Sequence, residues 1–419
     1  MNIVAQVYLN NILVTDKRDK VAAFDADGNC VGVNNIDYDA ATGRSMLYLT
    51  AYDSTAVGDL LFFRLWHYTT GKTMQILASP AVTFAKQTIA GTVDDPVLMY
   101  ADNMYLQTID LAEGWNWMSF NVYNARLNNL QDIQAMFNWQ NGDILTEDTE
   151  DLTLAYRNGI WMSNTDQAAE HISLSQRYSY RVKVQKAQKV ELWGRAYKSK
   201  EERTLTIKPG WNSIGYTPLL NLPVTTALAD YFDRATSGDV VKSQTEFAMF
   251  TSDGKGGGQW LGNLRYMQPG EGYQLYRQKA DTVSFTYPFY EPGETFIDLS
   301  QPQSHRAPML FSTTMSLVAE AVDIALKEGD RLVAYAGGEQ VGEAVLCSAI
   351  LSQNTQQQPL FFLSIAGDVE APLSFAIMRN GEAIATTEEV MTYRANDISG
   401  SPTEPTQISF LKTTDQPQQ

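Results

Sequence analysis

Catalysis and metal binding need nucleophiles, ligands or paired acids at workable spacings, and this sequence of 419 residues is sparing with them. Its three histidines are His67, His171 and His305, and its two cysteines are Cys30 and Cys347. No pair among these stands at the spacing of zinc ligands. No Gly-x-Ser-x-Gly elbow exposes a serine nucleophile. The run Gly254-Lys-Gly-Gly-Gly258 lacks the Gly-Lys-Ser/Thr ending of a phosphate loop and reads as a hairpin tip before Trp260. Asp25-Ala-Asp27-Gly28-Asn29 has the look of a calcium loop, since calcium takes several hard oxygens on a tight turn. The bidentate glutamate of an EF-hand is missing, so a plain hairpin turn is the better reading of Asp25 and Asp27, and no cofactor is implied. Carboxylates total 48, enough for pairs to arise by chance. Asp143 and Asp239 both follow a glycine and recur at one place in a repeat, which marks a turn or cap residue rather than a glycosidase-like acid. The expectation is a chain without catalytic residues.

The elements that carry these residues are organised around Gly114-Trp115-Asn116, which returns as Gly210-Trp211-Asn212 in similar surroundings. Each copy continues into a leucine-marked segment ending in an aromatic (Met136-Phe137, Tyr231-Phe232), then Gly142-Asp143-Ile144 or Gly238-Asp239-Val240. A Trp follows (Trp161, Trp260), and then a tyrosine-centred strand around Tyr180 or Tyr273. A second repeat occupies the two ends. Met1-Asn-Ile-Val-Ala-Gln-Val7 matches Met315-Ser-Leu-Val-Ala-Glu-Ala321, and Asp19-Lys-Val-Ala-Ala-Phe24 matches Asp330-Arg-Leu-Val-Ala-Tyr335. Repeats of this kind are sought first because missing them misreads the whole fold.

Period-2 alternation with turn signals every eight to twelve residues, and many aromatic residues, point to antiparallel strands. The predicted fold is all-β: four tandem β-sandwich-like domains in an A-B-B-A arrangement, with one short helix in each B module. A1 covers 1–102, B1 103–198, B2 199–290 and A2 307–412, with a linker at 291–306 and a polar tail at 413–419. The helices are expected at Leu130–Phe137 and Thr226–Phe232. Asp27-Gly28 and Asn380-Gly381 are expected hairpin turns, because type I′ turns need positive φ at both central positions.

Composition narrows the partners. A formal net charge of −17 argues against nucleic acid, whose phosphates need a basic face. No run reaches the ~20 apolar residues of a membrane span. No basic-then-apolar signal region opens the sequence, and Met1–Val7 already reads as a strand, so a mature fragment of a longer precursor is expected. Two cysteines do not make a disulfide framework, and Cys30 and Cys347 are expected as buried free thiols.

The eight tryptophans divide by the repeat. Trp115 and Trp211, and Trp161 and Trp260, occupy matched positions and are expected core anchors, together with Tyr180 and Tyr273. Trp66, Trp117, Trp139 and Trp193 have no counterpart, and Trp117 faces Ser213. Unmatched rings are where a sugar-stacking platform would lie; burial between domains is the alternative reading.

The A modules resemble a repeat found in large surface and secreted proteins of Bacteroidetes-type bacteria, with an "Ala-Phe, Gly-x-Cys-x-Gly-Val" centre and a later "Phe-Arg-Leu … Thr-Gly" strand and turn. Here those are Ala23-Phe24, Gly28-Asn-Cys30-Val-Gly-Val33, and Phe63-Arg64-Leu65 with Thr70-Gly71. The second copy has Gln340 for the cysteine. The B modules are similar to the "Gly-Trp-Asn-x-Ile-Ser … Pro-Gly-x-Gly-Tyr" unit of exported bacterial proteins, matched by Trp211-Asn-Ser-Ile214 and Pro269-Gly-Glu-Gly-Tyr273; the first copy has Ser175-Gln-Arg-Tyr178 instead. The resemblance implies an extracellular or cell-surface β-rich chain of type IX secretion cargo, although no C-terminal sorting domain is visible. It transfers no catalytic residue. The expected role is structural or adhesive, with other domains of a precursor, copies of itself, or a protein or glycan as partners. The alternative is a carbohydrate-binding accessory region of a polysaccharide-capturing or -degrading system.

Overall fold

The computed structural model describes residues 1–9, 12–25, 28–39, 43–52, 58–101, 104–128, 133–134, 136–148, 152–163, 173–255, 257–290, 310–350 and 357–412. The protein is all-β. Among the described residues α-helix is confined to short pieces: single turns at Lys200–Arg203, Val224–Ala227 and Ala229–Phe232, and the residues Ile133, Gln134 and Met136. The helix expected at Thr226–Phe232 is thus two turns separated at Leu228, whose ψ of 21° leaves the helical region. Of the helix expected at Leu130–Phe137, Ile133, Gln134 and Met136 are helical, and residues 130–132 and 135 lie outside the described residues.

In the A1 stretch, strand Asn2–Leu9 alternates faithfully, with Ile3, Ala5 and Val7 buried in the core. It pairs antiparallel with Arg44–Thr50 and parallel with Val97–Ala101. The order Asn2–Leu9, Arg44–Thr50, Cys30–Asp39, Lys20–Phe24, Phe62–His67, Lys72–Ser79, Val97–Ala101 therefore returns to its first strand, and the sheet closes on itself. Closure depends on Cys30–Asp39, which is long enough to pair with Lys20–Phe24 through one half and Arg44–Thr50 through the other. In the A2 stretch the corresponding chain is divided into Glu339–Val345 and Cys347–Ile350, and two separate sheets result.

The partners are otherwise the same. Thr313–Val322 pairs antiparallel with Gln357–Gly367 and parallel with Thr406–Ser409. Both copies carry a register shift at one place, between Ala23 and Phe24 and between Ala334 and Tyr335. Gly91 and Gly400 sit at the same φ of +72°, and a Cβ at either would strike a carbonyl of the first strand, Val4 O or Val318 O. Only glycine fits such a position.

The two inner stretches share one strand order. Gly114–Met118, Tyr180–Val184, Ile144–Glu147, Leu152–Arg157, Ile160–Ser163 is repeated as Gly210–Ile214, Tyr273–Arg277, Val240–Lys242, Phe247–Ser252, Gly258–Gly262. They dock on each other reciprocally. Ser119 N–H donates to Gly270 O (3.1 Å), and at the matching positions Gly215 N–H donates to Arg177 O (2.9 Å). Contacts exchanged between equivalent positions are the mark of a two-fold relation, here within one chain. The joint between these stretches is the helical turn Lys200–Arg203. Ser199 and Glu202 cap it reciprocally, and Glu202 also pairs with Arg195 at 2.6 Å.

Candidate functional site

The Gly-Trp-Asn motif works through its asparagine. Gly114 and Gly210 take φ of +94° and +84°, and the asparagine two residues on closes the turn. Asn116 Oδ1 accepts from Ala112 N–H at 2.9 Å while its Nδ2 donates to Ala112 O at 2.8 Å. Asn212 treats Lys208 in the same way, at 2.9 and 2.8 Å. Strand alternation then sends the preceding tryptophan to the other face, so Trp115 and Trp211 are half-buried rather than core anchors.

The remaining anchors lie where the repeat places them. Trp161, Trp260, Tyr180 and Tyr273 are buried. The two tyrosine hydroxyls accept the N–H five residues upstream, Ser175 at 2.6 Å and Gln268 at 2.7 Å. Two unmatched tryptophans offer no platform to a sugar. Trp139 is 7% exposed, stacked on Phe137 at 4.3 Å and edge-on to Trp161 at 4.5 Å. Trp117 is 1% exposed. Trp193 stands opposite Leu106 in its strand, and its side chain lies outside what the structure describes. Trp66 is half-buried with Lys20 Nζ 5.6 Å over its ring.

Asp143 and Asp239 are buried turn residues in matching settings. Gln140 and Gln185 N–H donate to the Asp143 carboxylate, as Thr236 and Gln278 N–H do to Asp239. Burial pushes the Asp143 carboxyl up, against those two donors. Asp25 accepts from Asn29 through both oxygens, and Asp27 lies outside the described residues. Among the described residues no three acidic, histidine or cysteine side chains are grouped to hold a metal ion. His67 Nδ1 lies 2.9 Å from Thr70 Oγ1, and His171 and His305 lie outside the described residues. Cys30 and Cys347 are free thiols, but Cys30 is exposed and Cys347 half-buried. Cys30 opens the strand Cys30–Asp39 of the closed A1 sheet and is exposed there.

A fully enclosed cation has no marker in its local sequence. Lys242 ends the strand Val240–Lys242 and is 0% exposed. Its ammonium sits 4.1 Å from the Trp211 ring and 5.6 Å from the Trp117 ring. It donates to Thr314 O at 3.1 Å and Asn396 Oδ1 at 3.0 Å, both in the A2 stretch. Trp211 Nε1 donates to Asn396 O (2.8 Å), and Trp117 Nε1 to Ser312 O (3.2 Å). Gln244 ties in B1, accepting from Trp117 N–H and donating to Trp115 O. Burial, helped by the nearby Arg181 guanidinium and opposed by Asp148, lowers the ammonium to about 7. Two ring faces and two oxygens are what accommodate the charged form there. Around this lysine, Phe247 meets Phe362 edge-on at 5.8 Å, and Val240, Met249, Val318 and Leu360 complete an apolar seam between B2 and A2. The ammonium is committed to holding three stretches of chain together.

Comparison with protein-family models, with curated proteins and with solved structures found no match.

Proposed function

We propose that this chain is a non-catalytic region of an extracellular or cell-surface protein, four modules in two related pairs that hold and space a binding surface. The observation that carries the reading is the Lys242 junction. A solvent-excluded ammonium with acceptors from a distant stretch, among tryptophans from both inner copies, fixes the relative placement of B1, B2 and A2. Modules joined by flexible linkers would bury no such group. The absence of grouped ligands among the described residues, and the commitment of Asp143, Asp239 and Lys242 to turns and joints, favour scaffolding over chemistry. The surface location rests on the resemblance of the repeats to those of secreted bacterial proteins. Self-association has a route through strands such as Ile160–Ser163 and Gly258–Gly262, which stand last in their sheets.

Small-angle scattering tests the scaffold. A single profile independent of salt, matching one rigid body, is expected. A profile of independently tumbling beads would overturn the reading.

A further inference from the structure

The two-fold relation between the inner repeats creates two equivalent joints, and their side chains differ. At one, Arg177 of B1 meets Gly215 of B2; at the other, Gly270 of B2 meets Ser119 of B1. The residue after each of these is Tyr178 at the first joint and Glu271 at the second. Lys208, gripped by Asn212, corresponds to Ala112, gripped by Asn116, and two residues earlier Thr206 corresponds to Asp110. Asp110 is paired there with Lys189 at 3.8 Å, whereas Thr206 meets the Ser284 hydroxyl at 3.2 Å. A joint used twice has thus gathered cations at one of its two sites and acids at the other.

The cationic site is a groove. A cavity of about 560 Å³ is lined by Arg177, Lys200, Glu201, Thr206, Lys208 and Ser213. Three cations face one carboxylate, in a chain whose formal net charge is −17. Arg177, Lys200 and Lys208 are exposed, and among the described residues none has an ion-pair partner. The one acid, Glu201, is held below the usual carboxylate range by its own N–H and the Ser199 hydroxyl, with Lys200 and Arg203 adding to them. Its neighbour Glu202 is committed to Arg195. The backbone under each cation is pinned. Arg177 O accepts from Gly215 N–H, Lys200 opens the reciprocally capped turn, and Lys208 bonds to Asn212 through both its N–H and its carbonyl. A cleft lined by one sign of charge concentrates ions of the other.

We propose that this groove binds a phosphate monoester, with Arg177 forking two phosphoryl oxygens while Lys200 and Lys208 neutralise the remaining charge. A monoester carries about −1.5 to −2 charge at neutral pH and three strong acceptor oxygens, which matches the excess of cations over Glu201. Arginine meets phosphate as a two-pronged fork and lysine as a point charge. The cavity has room for the group esterified to the phosphate, since small-molecule sites run to about 300–1,000 Å³. The site goes beyond the spacing role, which would hold with the groove empty.

The test is isothermal titration calorimetry of the full chain with glucose 6-phosphate, inorganic phosphate and glucose, in about 0.15 M sodium chloride so that unspecific attraction is screened. Co-sedimentation with phosphatidylcholine vesicles, with and without phosphatidic acid, is run beside it. Glucose 6-phosphate is expected to bind and glucose to give no heat. Inorganic phosphate binding as tightly as the ester would support the site and mark free phosphate as its ligand; co-sedimentation only with phosphatidic acid would support it and mark a lipid headgroup. Arg177→Gln should weaken binding about tenfold, the size of one charge-assisted hydrogen bond, and Arg177→Gln with Lys208→Gln about a hundredfold. Both side chains are exposed and the joint uses their backbone, so unchanged thermal unfolding verifies the variants, and Lys200→Gln gives a third, independent reading. No binding of any phosphate, equal binding of glucose, or full affinity in the double variant would overturn the assignment. Scattering reports on the scaffold separately, because none of these side chains belongs to the Lys242 junction.

Discussion

The two inner repeats place an identical aspartate in an identical turn and then treat it differently. Asp143 receives two backbone N–H groups and little else, with Val184 at the position that holds Arg277 in the second copy. Asp239 receives the same two donors, the Tyr231 hydroxyl at 2.8 Å and the Arg277 guanidinium at 3.5 Å. Arg277 is itself buried and also pairs with Asp281. What both copies keep is what the turn requires. What one copy adds is a buried ion pair, which offers little by its presence but penalises the loss of either partner.

Removal of the carboxylate separates the copies most sharply. Asp239→Ala strands Arg277 in the interior and should cost about 3–5 kcal/mol, whereas Asp143→Ala loses two neutral donors' acceptor and should cost about 1–3 kcal/mol. Equal losses in denaturant unfolding would break the comparison.

The same contrast recurs at Lys242, whose counterpart is Thr146, a residue whose hydroxyl meets that of Thr153 across the strands (3.2 Å). Lys242→Ala leaves a cavity and two unpaired acceptors, an expected loss of about 2–4 kcal/mol, against about 1 kcal/mol for Thr146→Ala. The lysine also sets a pH dependence of definite sign. Its folded pKa of about 7 lies below the ordinary 10.5, so the unfolded chain binds more protons between those values and stability rises with pH across that window. Thermal midpoints of wild type relative to Lys242→Met should therefore climb from pH 7 to pH 9. A flat difference would show that the aromatic cage, not burial, governs the ammonium.

The smallest effect is at the joint. Ser199→Ala removes half of the reciprocal cap and should cost about 1 kcal/mol in calorimetry. No measurable change would show that the Arg195–Glu202 pair suffices to hold the turn.

Much of this was legible in the residues. The recurrence of Gly-Trp-Asn announced two sheets with one strand order, and Asn380-Gly381, with φ of 53° and 86°, is the hairpin its dipeptide promised. Asn158-Gly159 carries the same signal, at 51° and 86°. The tryptophans were not legible. In Trp115-Asn-Trp117, alternation says that the two rings share a face opposite the asparagine. Which of them is covered depends on Gln244, Ser312 and Lys242, residues far along the chain. Lys242 was opaque for the same reason, since its acceptors lie 72 and 154 positions away. Local pattern cannot encode partners at that distance. The one hint was a lysine closing an apolar run after Gly238-Asp239, where the sister repeat has threonine.

The Lys242 junction also imposes an order of completion. A chain emerging from its N-terminus would have both inner repeats out before Ser312, Thr314 or Asn396 arrives, and until then two indole N–H groups and an ammonium face solvent in place of their acceptors. The A2 stretch is the keystone: it closes the interior between the inner repeats, so a chain cut short before Ser312 announces itself by exposed tryptophan.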